Sequence, residues 1–178
     1  TGTGITCGID CSESFAPGTM ITLTASPAAG STFTGWSGGG CAGTGTCNVT
    51  VNTATTVAAV FTLQQFAITV VKSGAGIGTV TSSPGAISCG ATCAATFDFG
   101  TSVMLTAAAG LNSVFACWSG GVCSGTAPCT FPVSAAASVT AVFSIAANPP
   151  DAPTGVTATA GSGLAVVSFT PPGNNGGS

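Results

Sequence analysis

The sequence has almost no charged side chains. Lys72 is its one basic residue, and its acidic residues are Asp10, Glu13, Asp98 and Asp151. Charged residues form 3% of the chain, whereas a typical globular domain carries about 25%. Nucleic-acid binding uses Lys and Arg to displace counterions from phosphates, so we expect no nucleic-acid partner. Weak repulsion between such surfaces instead favours association between copies of the chain.

Histidine is absent as well. The chain therefore lacks the most common general base, and its few carboxylates form no pair that repeats along the sequence. We predict that it is not an enzyme. Asp10 and Glu13 are far short of the roughly six to eight oxygen ligands that Ca²⁺ takes, so we expect neither a metal nor a cofactor.

Long apolar runs are also missing, because no uninterrupted stretch approaches the roughly 18 residues of a spanning helix. We therefore expect no membrane insertion. Cysteine, in contrast, is abundant, with nine residues, and this usage is typical of an oxidising compartment. The prediction is an exported protein, extracellular or at the cell surface. Because the sequence opens without an initiator methionine or a signal peptide, we expect a processed or trimmed chain.

An internal repeat dominates the sequence. Shifting the chain by 82 positions aligns residues 1–62 with 83–144 without a gap, and 26 positions are identical. The shift places four cysteines of the first copy on four of the second, and it does the same for four aromatic residues. The paired positions are Cys7/Cys89, Cys11/Cys93, Cys41/Cys123, Cys47/Cys129, Phe15/Phe97, Phe33/Phe115, Trp36/Trp118 and Phe61/Phe143. A fixed period of this kind is the signature of a tandem array.

Hydrophobic residues recur at every second position in several runs. Ile21 and Leu23 are separated by threonine, and Val57, Ala59 and Phe61 follow the same pattern. Such a period of two predicts β-strands, and Gly, Pro or a β-branched residue interrupts every stretch of a dozen residues. We therefore predict an all-β fold of tandem, small antiparallel β-sheet or sandwich modules with disulfide-clipped hairpins.

The chain divides into four segments on this pattern. Module 2 opens with extended runs at 66–71 and 78–82, for which module 1 has no counterpart. A proline-rich stretch then separates module 2 from a tail with two more extended runs, at 155–160 and 164–170. Two strands cannot bury a core of their own. The predicted segments are module 1 (1–63), module 2 (64–145), a linker (146–152) and the tail (153–178).

Two stretches resemble known families. The pattern GTVTSSPGAISCGATCAATF, then FxxWSGGxCxGTxxC and VTAVF, resembles the divergent B-repeat of internalin-like bacterial surface proteins. The resemblance covers 1–62 in part and 64–144 completely. The tail from Pro149 resembles the opening of a bacterial fibronectin type III domain, with Phe169 where that family usually has Trp. Both resemblances imply surface-exposed, non-catalytic modules strung in arrays, although fold analogy alone does not fix a function.

The repeated cysteines predict four disulfides within modules. Two pairs have three intervening residues and two pairs have five: Cys7–Cys11, Cys89–Cys93, Cys41–Cys47 and Cys123–Cys129. The alternative is a Cys₄ zinc site, which favours two-residue spacings that are absent here. Cys117 has no counterpart, because Gly35 takes its place in module 1. It is predicted to be a buried free thiol, with an intermolecular bridge as the alternative.

The repeated aromatic residues are predicted to anchor the core of each module. Trp36 and Trp118 are accompanied by Phe33 and Phe115 at equivalent positions. Repetition at matching sites favours a packing role, whereas exposed rings would form a platform for carbohydrate. Carbohydrate is therefore an alternative ligand rather than the expected one.

Two functions are compatible with these features. The first is a structural stalk or filament segment of a bacterial surface protein, which associates with its own copies or with other surface proteins. The second is an adhesin or a substrate-binding accessory module of a secreted hydrolase, and a groove lined by exposed aromatic rings would favour it. If the chain forms fibres, strands of different subunits should pair near residues 1–6 or 155–170.

Overall fold

The all-β prediction is confirmed by the computed structural model, which describes residues 4–8 and 10–174. Within those ranges the chain forms thirteen strands and no helix. The strands are β1 (Thr19–Leu23), β2 (Ser31–Ser37), β3 (Cys47–Val51), β4 (Ala58–Leu63), β5 (Gln65–Ser73), β6 (Gly78–Ser83), β7 (Ala94–Asp98), β8 (Ser102–Ala109), β9 (Ser113–Ser119), β10 (Cys129–Pro132), β11 (Ala137–Ile145), β12 (Thr154–Gly161) and β13 (Leu164–Thr170).

Module 2 is a β-sandwich of two sheets. A four-stranded sheet in the order β7-β5-β11-β9 faces a three-stranded sheet in the order β10-β8-β6. Ile68 and Phe143 from the first sheet pack with Val80 and Leu105 from the second, and all four are fully or almost fully buried. The pairing is antiparallel except between β5 and β11, which are parallel. Strands β5 and β6 lie in different sheets, and residues 74–77 cross between them.

Module 1 repeats only part of this sandwich. Its strands β1, β2, β3 and β4 occupy the sequence positions of β8, β9, β10 and β11, and they form two sheets of two strands, β1-β3 and β2-β4. The β-bulge between β2 and β4 recurs between β9 and β11. Among the described residues, module 1 has no strand equivalent to β5, β6 or β7. The described part of module 1 therefore contains counterparts of four of the seven strands of module 2.

The incomplete sandwich changes the burial of β4. The alternation of Val57, Ala59 and Phe61 predicts a half-buried strand, but every residue of β4 is exposed. Its counterpart β11 alternates between buried and less buried positions. The physical reason is that β11 has β5 beside it in its own sheet and β6 in the facing sheet, whereas the described part of module 1 has no counterpart of either strand. Strand β1 is shortened likewise: it ends at Leu23, while its counterpart β8 runs to Ala109 along β6.

A single residue, Gln64, joins the two modules. Its backbone N–H donates to the carbonyl of Gly30 at 2.7 Å, and its carbonyl accepts from the N–H of Phe99 at 2.8 Å. The Phe99 ring lies against Gly30, which has a φ of +76°. Module 1 and module 2 are thus connected through both backbone hydrogen bonds and a packed ring rather than through a flexible linker.

The tail forms a β-hairpin. Strands β12 and β13 pair antiparallel around a two-residue loop, and every residue of both strands is exposed. Near its base, the N–H of Asp151 donates to the carbonyl of Asn174 at 3.2 Å. The two strands match the extended runs predicted from the sequence. The predicted tail extends to 178, but 175–178 lie outside the described residues, as do positions 1–3 of the predicted pairing region.

Candidate interaction surface

Two of the four disulfides close tight turns. Cys89 and Cys93 are bonded, with their Cα atoms 4.3 Å apart. Next to these cysteines in the chain, Ser88 and Thr92 exchange two backbone hydrogen bonds of 3.0 and 2.9 Å. Cys7 and Cys11 form the matching bond in module 1, with the same Cα separation of 4.3 Å. Each bond holds a turn in which a few residues reverse the chain.

The other two disulfides close loops that enter a strand. Cys123 bonds to Cys129, the first residue of β10, and Cys41 bonds to Cys47, the first residue of β3. Strands β9 and β10 belong to different sheets, so the Cys123–Cys129 bond constrains the loop that crosses between the two sheets rather than a hairpin. The Cα atoms are 5.7 Å apart in module 2 and 5.6 Å apart in module 1. The cross-links therefore repeat as closely as the strands do.

Trp118 lies at the centre of module 2. Its side chain is 2% exposed, and its Nε1–H donates to the carbonyl of Ala127 at 2.8 Å. The Phe115 ring meets it edge-on with centroids 5.0 Å apart, and Phe143 lies 5.5 Å from Phe115. Such edge-to-face pairs add to the stabilisation from burial alone. The structure thus places Trp118 in the core, as the sequence predicts.

Trp36 makes the same contacts in a more open environment. Its Nε1–H donates to the carbonyl of Gly45 at 2.6 Å, and the Phe33 ring lies edge-on at 5.1 Å. Trp36 and Phe33 are only partly buried, and Phe61, which touches Phe33, is 43% exposed. The equivalent Phe143 is 1% exposed. The aromatic cluster is therefore intact in module 1, but one side of it faces solvent.

Cys117 carries a free thiol within the described chain. Its position in β9 is partly buried, next to Trp118 and opposite Val142 of β11. An intermolecular bridge through Cys117 stays a prediction.

The open side of module 1 is a groove of about 800 Å³. We call it the module 1 groove. Its floor comes from β1, β3 and β4, and its rim from the segment around the first disulfide. The lining is mostly apolar and includes Phe15, Ile21, Trp36, Val49, Ala59 and Phe61. The sequence alone did not predict this groove. The signal for it was that module 1 has no counterpart of the extended runs 66–71 and 78–82 of module 2.

Charge contributes little to the groove. Glu13 is the one carboxylate in its lining, and no cluster of His, Cys, Asp and Glu among the described residues is suited to a metal ion. Lys72 lies in module 2, where its Nζ donates to the carbonyl of Gly78 at 3.1 Å. The groove is chemically suited to an extended, uncharged segment with apolar side chains.

Comparison with known proteins identifies the repeats. The family model of the divergent InlB B-repeat domain matches residues 1–65 and 68–147. The chain belongs to this family. The two B-repeats end at equivalent positions, 82 residues apart, but the second match begins fifteen positions before the point equivalent to residue 1. Those fifteen positions, 68–82, contain most of β5 and of β6, so both leading strands are part of the family unit.

The match ends at residue 147, so it does not support the fibronectin type III prediction for the tail. No curated protein and no solved structure matches the chain. The B-repeat family and the disulfides are consistent with a repeat module of an extracellular surface protein. Within the described ranges, no helix has the length and hydropathy to span a membrane.

Proposed function

We propose that this chain is a non-catalytic structural segment of an extracellular bacterial surface protein, in which tandem B-repeats form a stalk that associates end to end into fibres. The observation that carries the proposal is the junction at Gln64. A structural stalk has to transmit force and orientation from one module to the next. Two backbone hydrogen bonds and the Phe99 ring over Gly30 provide such a connection.

The distribution of apolar surface supports association between copies. Large apolar side chains are exposed on both modules and on the tail, among them Met20, Phe61, Leu111, Ile145 and Phe169. Large exposed apolar patches often mark interaction sites. One lysine and four acidic residues give little repulsion to keep copies apart. An extended fibre is therefore favoured over an isolated chain.

The non-catalytic part of the proposal is supported by the composition of the polar residues. The sequence has no histidine. Lys72 and the four carboxylates are distributed over both modules and the linker, and the shared aromatic and disulfide framework includes none of them. The groove lining contains one carboxylate, Glu13, with no second carboxylate and no histidine to work with it.

A second candidate function is an adhesin or a substrate-binding accessory module of a secreted hydrolase. One specific observation favours it: Phe15, Trp36 and Phe61 line the open groove, and aromatic rings can stack on sugars. Against a dedicated sugar platform, Trp36 keeps the same hydrogen bond and Phe contact as the buried Trp118. Those shared contacts are typical of a core position rather than of a sugar-binding surface.

Negative-stain images of the full chain across a range of concentrations distinguish the two candidates. The structural proposal predicts regular linear fibres whose length grows with concentration. Isolated particles at every concentration, together with saturable binding to an extracellular polysaccharide, would reverse the order of the two functions.

A further inference from the structure

We propose that Asn48 is the attachment site of an N-linked glycan, and that this glycan protects an exposed sheet edge of module 1. Asn48-Val49-Thr50 is the one match in the sequence to the acceptor pattern Asn-x-Ser/Thr, in which x is not proline. Acceptors of this kind belong to exported proteins, and the disulfides of this chain are typical of such proteins. The attachment is independent of the proposed function, whereas the protective role rests on it.

The acceptor pattern lies in β3, where successive side chains alternate between the two faces of the sheet. Val49 is buried in the core of module 1, while Asn48 and Thr50 are exposed on the outer face. The hydroxyl of Thr22, in the neighbouring strand β1, donates to Oδ1 of Asn48 at 2.6 Å. This hydrogen bond holds the amide through its oxygen, so that Nδ2, the atom that bonds to a sugar, lies on the other side of the amide group.

The reaction joins Nδ2 of Asn48 to the anomeric carbon of a sugar. The sugar donor is activated at that carbon by a diphosphate, which leaves with the electron pair of the C–O bond as the new C–N bond forms. The amide nitrogen gives up one proton and remains an amide, so the step needs neither an oxidant nor a reductant. The chain provides the acceptor alone, and a glycosyltransferase of the exporting cell provides the catalysis.

The acceptor strand β3 is an edge of its sheet. It pairs with β1, and the equivalent strand of module 2, β10, is likewise the outermost strand in the order β10-β8-β6. Because β10 is an edge in a sandwich of seven strands, the edge position of β3 does not follow from the smaller number of strands in module 1. Exposed edges offer unpaired N–H and C=O groups to other chains, and proteins block them with lysine, proline or bulges.

Module 2 blocks this edge with Pro132, the last residue of β10. The N–H of the next residue, Val133, donates inward to the carbonyl of Thr101 at 2.9 Å. Successive backbone nitrogens of an antiparallel edge strand face alternately toward its partner and away from it, so the nitrogen of Pro132 faces outward. Proline has no N–H, and the edge therefore lacks the donor that an added strand would use at this position.

Module 1 has the acceptor pattern where module 2 has this proline. Thr50 takes the place of Pro132, and Asn48 takes the place of Thr130. Strand β3 thus keeps the N–H of Thr50 and contains neither a proline nor a charged residue. A glycan on Asn48, two positions from Thr50 on the same face, would cover this edge with a bulky, hydrated group. The two equivalent edges are then protected by different means, a glycan in module 1 and a proline in module 2.

Mass spectrometry of the full chain, purified from the cells that naturally export it, tests the attachment. The peptide that contains Asn48 should carry the mass of a hexose or an N-acetylhexosamine, and electron-transfer fragmentation should locate this mass on Asn48. Thr50→Ser should keep the modification and Thr50→Val should lose it, whereas Asn52→Gln, outside the acceptor pattern, should have no effect. An unmodified Asn48 in the native chain would overturn the attachment, and fibres formed by that chain would leave the proposed function standing.

Two substitutions of Thr50 test the protective role. Thr50→Val and Thr50→Pro both remove the acceptor pattern, but only Thr50→Pro introduces the residue that blocks the same edge in module 2. Negative-stain images should show single linear fibres for the native chain, laterally bundled fibres for Thr50→Val, and single fibres again for Thr50→Pro. Single fibres of Thr50→Val would overturn the protective role. A native chain that carries the glycan but forms no fibres would overturn the proposed function and leave the attachment site standing.

Discussion

Trp36 and Trp118 occupy equivalent positions but differ in burial, and this difference predicts different costs of truncation. Replacing Trp118 with Ala should destabilise module 2 by about 3–5 kcal/mol, as for a buried aromatic residue. Trp36→Ala should cost less, because its ring is only partly buried. Denaturant unfolding followed by far-UV circular dichroism measures both. Unchanged stability of Trp118→Ala, with loss of binding to a sugar, would move this residue from core to ligand site.

Gly30 tests the junction between modules at the level of one residue. A side chain at this position meets two penalties: a φ of +76° and overlap with the Phe99 ring. Gly43 has a similar φ of +73° but no atom within 4 Å of where a Cβ would be placed. Each Ala substitution should cost about 1–3 kcal/mol for the backbone, and Gly30→Ala should cost measurably more than Gly43→Ala.

Denaturant unfolding midpoints of the two glycine variants decide this point. Equal losses of stability would mean that the Phe99 ring moves aside freely, and the junction would then be looser than the proposed stalk requires.

At the scale of strands, the repeat made much of the fold predictable. The 82-residue offset and the alternation of apolar residues located the strands, and the matching cysteines indicated the pairs that the structure joins. Burial was less predictable. Val57, Ala59 and Phe61 have the same pattern as Val139, Ala141 and Phe143, yet one set is largely exposed and the other buried. A strand's own sequence records which face is apolar, but the strands packed around it decide whether that face is covered.

The disulfides are the elements that chemistry can test most simply. Peptide mapping without reduction should link Cys7 to Cys11, Cys41 to Cys47, Cys89 to Cys93 and Cys123 to Cys129, and should find Cys117 alkylated. Each bond closes a short loop and should contribute about 2 kcal/mol. A peptide that joins Cys11 to Cys41 would contradict the pairing expected from the repeat.

At the scale of the whole molecule, the junction and the linker should respond differently to added length. Four flexible residues inserted after Gln64 would separate the hydrogen bonds to Gly30 and Phe99, whereas the same insertion after Pro150 lies in a segment outside both modules. Small-angle X-ray scattering, at a concentration where the chain is monomeric, should show a broader distribution of distances between modules for the insertion after Gln64 than for the insertion after Pro150. No difference from the uninserted chain would indicate that the modules already move independently.

The central claim is that copies of this chain associate end to end through the exposed strands of module 1 and the tail. Amide hydrogen exchange measured on dilute monomers and on assembled fibres tests it most directly, because newly paired strands gain protection. The account predicts slower exchange in β1, β4, β12 and β13 on assembly, with little change in β8 and β11, which are already covered within module 2. Fibres in which β1, β4 and the hairpin exchange as fast as in the monomer would contradict it.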